Sequence, residues 1–126
     1  PLRGYGETVL FVEDEHAILD LGKRFLESLG YEVLGAGTPE EALTLAREHT
    51  GTIDMVVSDV VLPGMNGREL MDRLTEEHPG VKCMFISGYT ADIIGNRGVD
   101  DDVRLLQKPF SLVDLAATVR DVLDGG

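Results

Sequence analysis

The chain has 126 residues, 43% apolar and 27% charged, with one cysteine and a formal net charge of −12. That length suits one compact domain able to bury a core without staples, and a single cysteine excludes an internal disulfide. The acidic balance disfavours a nucleic-acid partner, whose phosphates call for lysine and arginine, and no apolar run nears the ~20 residues of a membrane span.

Opening on proline rather than methionine, the chain reads as a piece of a longer protein, in a cytoplasmic, reducing setting without direct membrane contact. Residues 1–7, with Gly4 and Gly6, read as a linker remnant, so the folded domain is expected over 8–124. Thr8 to Val12 is a short apolar run of strand formers, as expected of a strand buried on both faces. It stops at Glu13-Asp14-Glu15. Ile18, Leu21, Phe25, Leu26 and Leu29 then recur at helical spacing over Ala17 to Leu29, with Gly30 as the stop. Tyr31 to Ala36 is a second strand. Thr38-Pro39-Glu40-Glu41 starts a helix running to about Glu48: Thr38 caps, Pro39 takes the first turn and Glu41 completes a capping box.

Ile53 to Ser58 is the third strand, ending at Asp59. A loop with Pro63, Gly64 and Gly67 leads to a helix carrying Leu70, Met71 and Leu74, which starts near Gly67-Arg68-Glu69 and stops before Pro79. Val81 to Ile86 is the fourth strand, ending at Ser87-Gly88. Thr90 to Ile94 reads as a turn or two of helix broken by Gly95 and Gly98. Val103 to Gln107 is the fifth strand, ending at Lys108-Pro109, and Ser111 caps a last helix with Leu112, Leu115, Val119, Val122 and Leu123 on one face. Strands alternating with helices argue for an α/β fold, a parallel sheet with helices on both faces.

In such sheets ligands bind outside the carboxyl ends of the strands. Strand one ends in Glu13-Asp14, strand three in Asp59, strand four in Ser87 and strand five in Lys108. Each alone is ordinary: a solvated acidic loop, a turn aspartate, a strand-end serine, an exposed lysine. Together, if these strands are neighbours, they bring three carboxylates, a hydroxyl and an ammonium to one crevice. Carboxylates ~4 Å apart repel by about 4 kcal/mol at an effective dielectric near 20, so something cationic must hold them. Mg²⁺ suits a carboxylate pair and keeps positions open for phosphate oxygens. Phosphoryl transfer needs little beyond positioning and charge neutralisation, and Asp59 is the central carboxylate.

The same residues carry a family resemblance. Val9 to Glu15, Val57 to Gly67, Phe85 to Tyr89 and Leu106 to Phe110, in order and at the expected spacing, resemble a response-regulator receiver domain from about Glu7 to Leu123. The resemblance implies a doubly wound five-stranded parallel sheet in the order 2-1-3-4-5 known for that family. It implies that Asp59 accepts phosphate from the phosphohistidine of a histidine kinase or histidine phosphotransfer domain. Asp14, Asp59 and the backbone carbonyl of Val61 would bind Mg²⁺ (or Mn²⁺), with Glu13 acting through water. Ser87 and Lys108 would bind the phosphoryl oxygens, and the Lys108-Pro109 bond would be cis. Two positions depart from the family's frequent pattern: Leu105 replaces a switch Tyr or Phe, and Glu13 replaces an Asp. Without that ring, the segment from Ser87 to Gly98 is expected to carry the response.

An aspartyl phosphatase of the dehalogenase type would want a second Asp two residues after the first, where this chain has Val61. A receiver that only binds partners would lack the acceptor, a metal ligand or the lysine, and none is missing. The parent reads as a hybrid sensor histidine kinase, with a regulator-fused or stand-alone receiver as the alternative. His16, His49 and His78 read as solvated helix positions, Cys83 as a buried structural thiol, and Tyr89 as packing or contact surface.

Overall fold

The computed structural model describes residues 2–88 and 104–125. Five strands, β1 (Thr8–Val12), β2 (Glu32–Ala36), β3 (Met55–Asp59), β4 (Lys82–Ser87) and β5 (Arg104–Gln107), form one parallel sheet in the order β2-β1-β3-β4-β5. Four described helices connect or follow them: α1 (His16–Ser28), α2 (Pro39–Glu48), α3 (Gly67–Glu77) and α4 (Leu112–Leu123). None is long and apolar enough to cross a membrane. The expected helix at Thr90–Ile94, with Tyr89, Gly95, Gly98 and the start of the fifth strand at Val103, lies outside the described residues.

Alternation along the central strands explains their unbroken apolar runs. Val9 and Phe11 of β1, Met55 and Val57 of β3, and Met84 and Ile86 of β4 pack with Leu26 of α1 and Leu115 and Val119 of α4. Leu10, Val12, Val56 and Phe85 face the other way, against Ala42 and Leu43 of α2 and Leu70 and Leu74 of α3. A strand covered on both faces has no side left for polar residues. Leu105 packs, half-buried, on the α2/α3 side.

Three helix starts are capped by short polar side chains. Thr38, Asn66 and Ser111 accept hydrogen bonds from the backbone N–H groups of Glu41, Glu69 and Asp114 at 3.1, 2.8 and 3.0 Å. The expected capping box of α2 is altered: the Glu41 carboxylate accepts from Gly37 N–H at 2.7 Å, one residue before the cap, which satisfies a different free donor at the same helix end. Helix α1 starts at Glu15, whose side chain makes no cap bond. It closes with paired bonds from Gly30 N–H to Glu27 O and Tyr31 N–H to Leu26 O, and Gly30 takes the φ of +108° that this closure needs.

Residues 2–7, expected as a linker, lie against the domain. Gly4 and Gly6 donate to the carbonyls of Leu29 and Gly30 at 2.8 and 2.9 Å. Arg120 of α4 holds them from the other side, through Glu7 at 2.9 Å, the Arg3 carbonyl at 3.0 Å and the face of the Tyr5 ring.

Candidate functional site

The carboxyl ends of β1, β3 and β4 and the turn after β5 meet at one pole. Parallel register brings this about: Val12 pairs with Ser58, Asp59 with Ile86, and Ser87 with Gln107. The residue after each of these positions is therefore delivered to the same edge. Glu13 continues the ladder through its N–H to Ala36 O at 3.0 Å and is fully buried. Asp59 is also buried, whereas Asp14 is exposed. One carboxylate oxygen from each of Glu13, Asp14 and Asp59 lies within 4.8 Å of the others.

Lys108 reaches into this group from the β5–α4 turn. Its Nζ is 2.9 Å from Asp59 Oδ2, 2.9 Å from Glu13 Oε1 and 2.8 Å from Glu15 Oε1. Its backbone N–H donates to Ser87 O at 2.7 Å, and the following peptide bond to Pro109 is cis, as expected. Burial pulls on the ammonium, but the close carboxylates of Glu15, Glu13 and Asp59 outweigh it and hold Lys108 above the ordinary lysine range. Burial raises the Glu13 carboxyl to about 7, against the Glu15 N–H bond and Lys108, which stabilise its charge.

Asp59 is held at both oxygens. Oδ1 accepts from Val61 N–H at 3.1 Å and Oδ2 from Lys108 at 2.9 Å. Behind it, Gly67 N–H donates to Val60 O at 2.8 Å. A Cβ at Gly67 would stand 2.6 Å from the Asp59 carbonyl oxygen and 2.9 Å from the Phe85 ring, so only glycine lets α3 begin this close to the strand.

The donor set fits a hard divalent cation. Glu13, Asp14 and Asp59 offer only oxygens, the preference of Mg²⁺. Lys108 brings one positive charge against the four carboxylates of Glu13, Asp14, Glu15 and Asp59. Glu13 Oε1 is buried with no hydrogen-bond donor aligned on it, although the Lys108 ammonium is in ionic contact. An oxygen left in this state favours a further cationic or water partner.

Of the residues singled out from sequence, Glu13, Asp14, Asp59 and Lys108 converge by direct distance. Ser87 is fully buried at the end of β4 and is joined to Lys108 through its backbone. Val61, 48% exposed, lines a cleft of about 800 Å³ with Asp14, Asp59 and Lys108. The cleft continues over Ile18, Leu21, Phe110 and Leu112, an apolar strip from α1 and the start of α4. Sequence reasoning missed Glu15, the third carboxylate on Lys108; its signal was a glutamate where a helix start prefers a shorter side chain.

Three minor expectations change. His78 is half-buried, its Nε2 2.9 Å from the Ala46 carbonyl of α2, because α3 and α2 pack side by side there. His49 is also half-buried, 3.9 Å from the Glu32 carboxylate. Cys83 is half-buried rather than enclosed, since it sits near the start of β4, where the strand is least covered; burial still raises its thiol pKa. His16 is exposed, as expected.

Comparison with known proteins accords with this geometry. The family model described as "Response regulator receiver domain" matches residues 9–120. The chain is 46% identical over 118 residues to the sensor kinase CckA of Brucella abortus (strain 2308), covering 93% of this chain but spanning only 12% of that kinase. Among solved structures it is similar to the receiver domain of a hybrid histidine kinase CckA, with a TM-score of 0.78 and 40% identity, covering 92% of this chain and 98% of the other. It also resembles a CheY-like receiver domain protein of Methanospirillum hungatei JF-1, with a TM-score of 0.80, 30% identity and 95% of each chain covered.

Proposed function

Since the chain belongs to the response regulator receiver family, we propose that Asp59 is its phosphoacceptor, loaded from a phosphohistidine. The observation that carries this reading is the hold on Asp59: a buried carboxylate with Oδ1 on Val61 N–H and Oδ2 on Lys108 Nζ, at the floor of an open cleft. Oriented from both oxygens, it meets an incoming phosphorus in line. One Asp59 oxygen forms the new P–O bond. The P–N bond of the donor breaks, and its electron pair goes to the imidazole, which takes up a proton. Lys108 then gives an N–H to a phosphoryl oxygen in a charge-assisted bond, and the Ser87 hydroxyl serves a second oxygen.

Asp14, Asp59 and the Val61 carbonyl would hold Mg²⁺ (or Mn²⁺), with Glu13 acting through water. The ion supplies charge neutralisation for the phosphoryl oxygens. Hydrolytic turnover is not expected, because Val61 stands where an aspartyl phosphatase would carry its acid–base group.

The partner is a histidine kinase or histidine phosphotransfer domain, seated on the apolar strip of Ile18, Leu21, Phe110 and Leu112 beside the cleft. The likeness to a sensor kinase and to a hybrid-kinase receiver supports a hybrid sensor histidine kinase as the parent chain. The domain would act in the cytoplasm, without contacting nucleic acid or membrane. The deciding experiment incubates the chain with acetyl phosphate and Mg²⁺ and weighs it. One phosphoryl mass is expected in the wild type and none in Asp59→Asn; persistent labelling of the variant would place the acceptor elsewhere.

A further inference from the structure

Glu15 stands at the N-cap of α1, where Ser, Thr, Asp and Asn are preferred because a short side chain reaches the free backbone N–H groups of the first turn. Helices α2, α3 and α4 follow this rule with Thr38, Asn66 and Ser111. Glu15 makes no cap bond. Its Oε1 instead accepts from Lys108 Nζ at 2.8 Å, across 93 positions of sequence. A local rule broken in favour of a contact at the site points to a role there.

An ammonium has three donors and no acceptor. Lys108 Nζ already has three carboxylate neighbours, Glu13, Glu15 and Asp59. A phosphoryl group arriving on Asp59 claims at least one donor, so one neighbour must let go. Glu13 is fully buried and the Asp59 side chain is 9% exposed; removing the lysine from either strips a buried carboxylate of its cation, so that it stands unpaired or must take up a proton, which is costly. The Glu15 side chain is 60% exposed and can turn into water, where an ion pair is worth little.

We propose that Glu15 is a positioning residue for phosphoryl uptake. It holds the Lys108 ammonium toward the mouth of the cleft while Asp59 is free, it is the partner released when a phosphoryl oxygen arrives, and its grip slows uptake. This rests on the roles proposed above for Asp59 and Lys108.

The test compares the wild type with Glu15→Gln and Glu15→Asp. Gln keeps the shape but not the charge. Asp keeps the charge but is one methylene shorter, and at an N-cap it is drawn to the backbone of the first turn. The first readout is the initial rate of mass gain with acetyl phosphate and saturating Mg²⁺. There a P–O bond forms to Asp59, the P–O bond to the acetyl group breaks, and acetate leaves with the electron pair. The second readout is the exchange of Lys108 ammonium protons with water, by nitrogen-15 NMR on the unphosphorylated, metal-free chain, which has only three lysines. Both variants are expected to take up phosphate about two- to fivefold faster, the factor corresponding to one exposed ion pair. Both are also expected to exchange those protons faster. Any other pattern overturns the proposal: rates not raised in both variants, a gain in Gln alone (which would make rim charge the cause), or unchanged proton exchange. A wild-type chain that gains no phosphoryl mass, or an Asp59→Asn chain that still gains it, overturns the Asp59 assignment itself and the role of Glu15 with it.

Discussion

Lys108 Nζ lies 2.9 Å from Asp59 Oδ2, although the two residues are 49 positions apart and Asp59 ends β3 while Lys108 follows β5, with β4 between. The lysine crosses over β4 because its own backbone N–H is tied to Ser87 O, which sets the turn from which the side chain extends. Replacing it by methionine removes the one ammonium facing Glu13 and Asp59 while keeping the volume of the stem. A loss of about 1–3 kcal/mol is expected in EDTA at neutral pH, below the full cost of a broken buried pair because Glu13 can take up a proton instead. Urea unfolding measures it, and phosphorylation by acetyl phosphate should fall with it.

Glu13 makes metal-free stability depend on pH. Its carboxyl is raised to about 7 from an ordinary 4.5, mainly by burial. The folded chain thus keeps a proton that the unfolded chain has shed. The resulting stability is full below about pH 4.5 and is lost as pH rises through about 7. In EDTA, the stability of the wild type relative to Glu13→Gln is expected to drop by about 2–3 kcal/mol between roughly pH 5 and pH 8. A flat difference in urea unfolding across that range would mean that the carboxyl is ionised throughout.

Mg²⁺ should raise the melting midpoint. It relieves repulsion among Glu13, Asp14 and Asp59 in the folded chain and finds no such group in the unfolded one. At ten times its dissociation constant the gain is about 1.4 kcal/mol. Thermal melts with EDTA and with millimolar Mg²⁺ test this, and Asp14→Asn should remove most of the rise. A midpoint that ignores Mg²⁺ in the folded wild type counts against the metal site.

Gly67→Ala should be destabilising by about 2–4 kcal/mol, because its Cβ would press on backbone at 2.6 Å and on the Phe85 ring at 2.9 Å. Relief requires α3 to move away from Asp59, so phosphorylation should slow as well. Circular-dichroism melts and the mass-gain rate read the two effects.

Arg120 ties residues 2–7 to α4 through Glu7, the Arg3 carbonyl and Tyr5. Arg120→Met should release that segment. Faster amide hydrogen exchange is expected at Gly4 and Gly6, whose N–H groups bond the carbonyls of Leu29 and Gly30, with little change in the central strands. Unchanged protection at both glycines would show that the backbone bonds alone hold the segment.

By itself the sequence determined the local elements and the contents of the site. The apolar runs Val9–Val12 and Met55–Val57 mark strands covered on both faces, and Thr38 and Ser111 mark helix starts, because these signals depend on neighbours a few positions away. Asp14, Asp59, Ser87 and Lys108 were legible as site residues because each stands at or just past the end of a strand in a fold that binds ligands at strand ends. Tertiary structure decided the contacts among residues far apart in the chain. Parallel register sets Glu13 and Asp59 within reach of one lysine, and burial at the end of β1 turns Glu13 into a group that holds a proton to about 7. Glu15 looked like one more solvated acid beside a helix start, and residues 2–7 looked like a tether. Lys108 and Arg120, each from a distant part of the chain, gave both their places, since a long charged side chain is placed by the partner the fold brings to it and not by its neighbours in sequence.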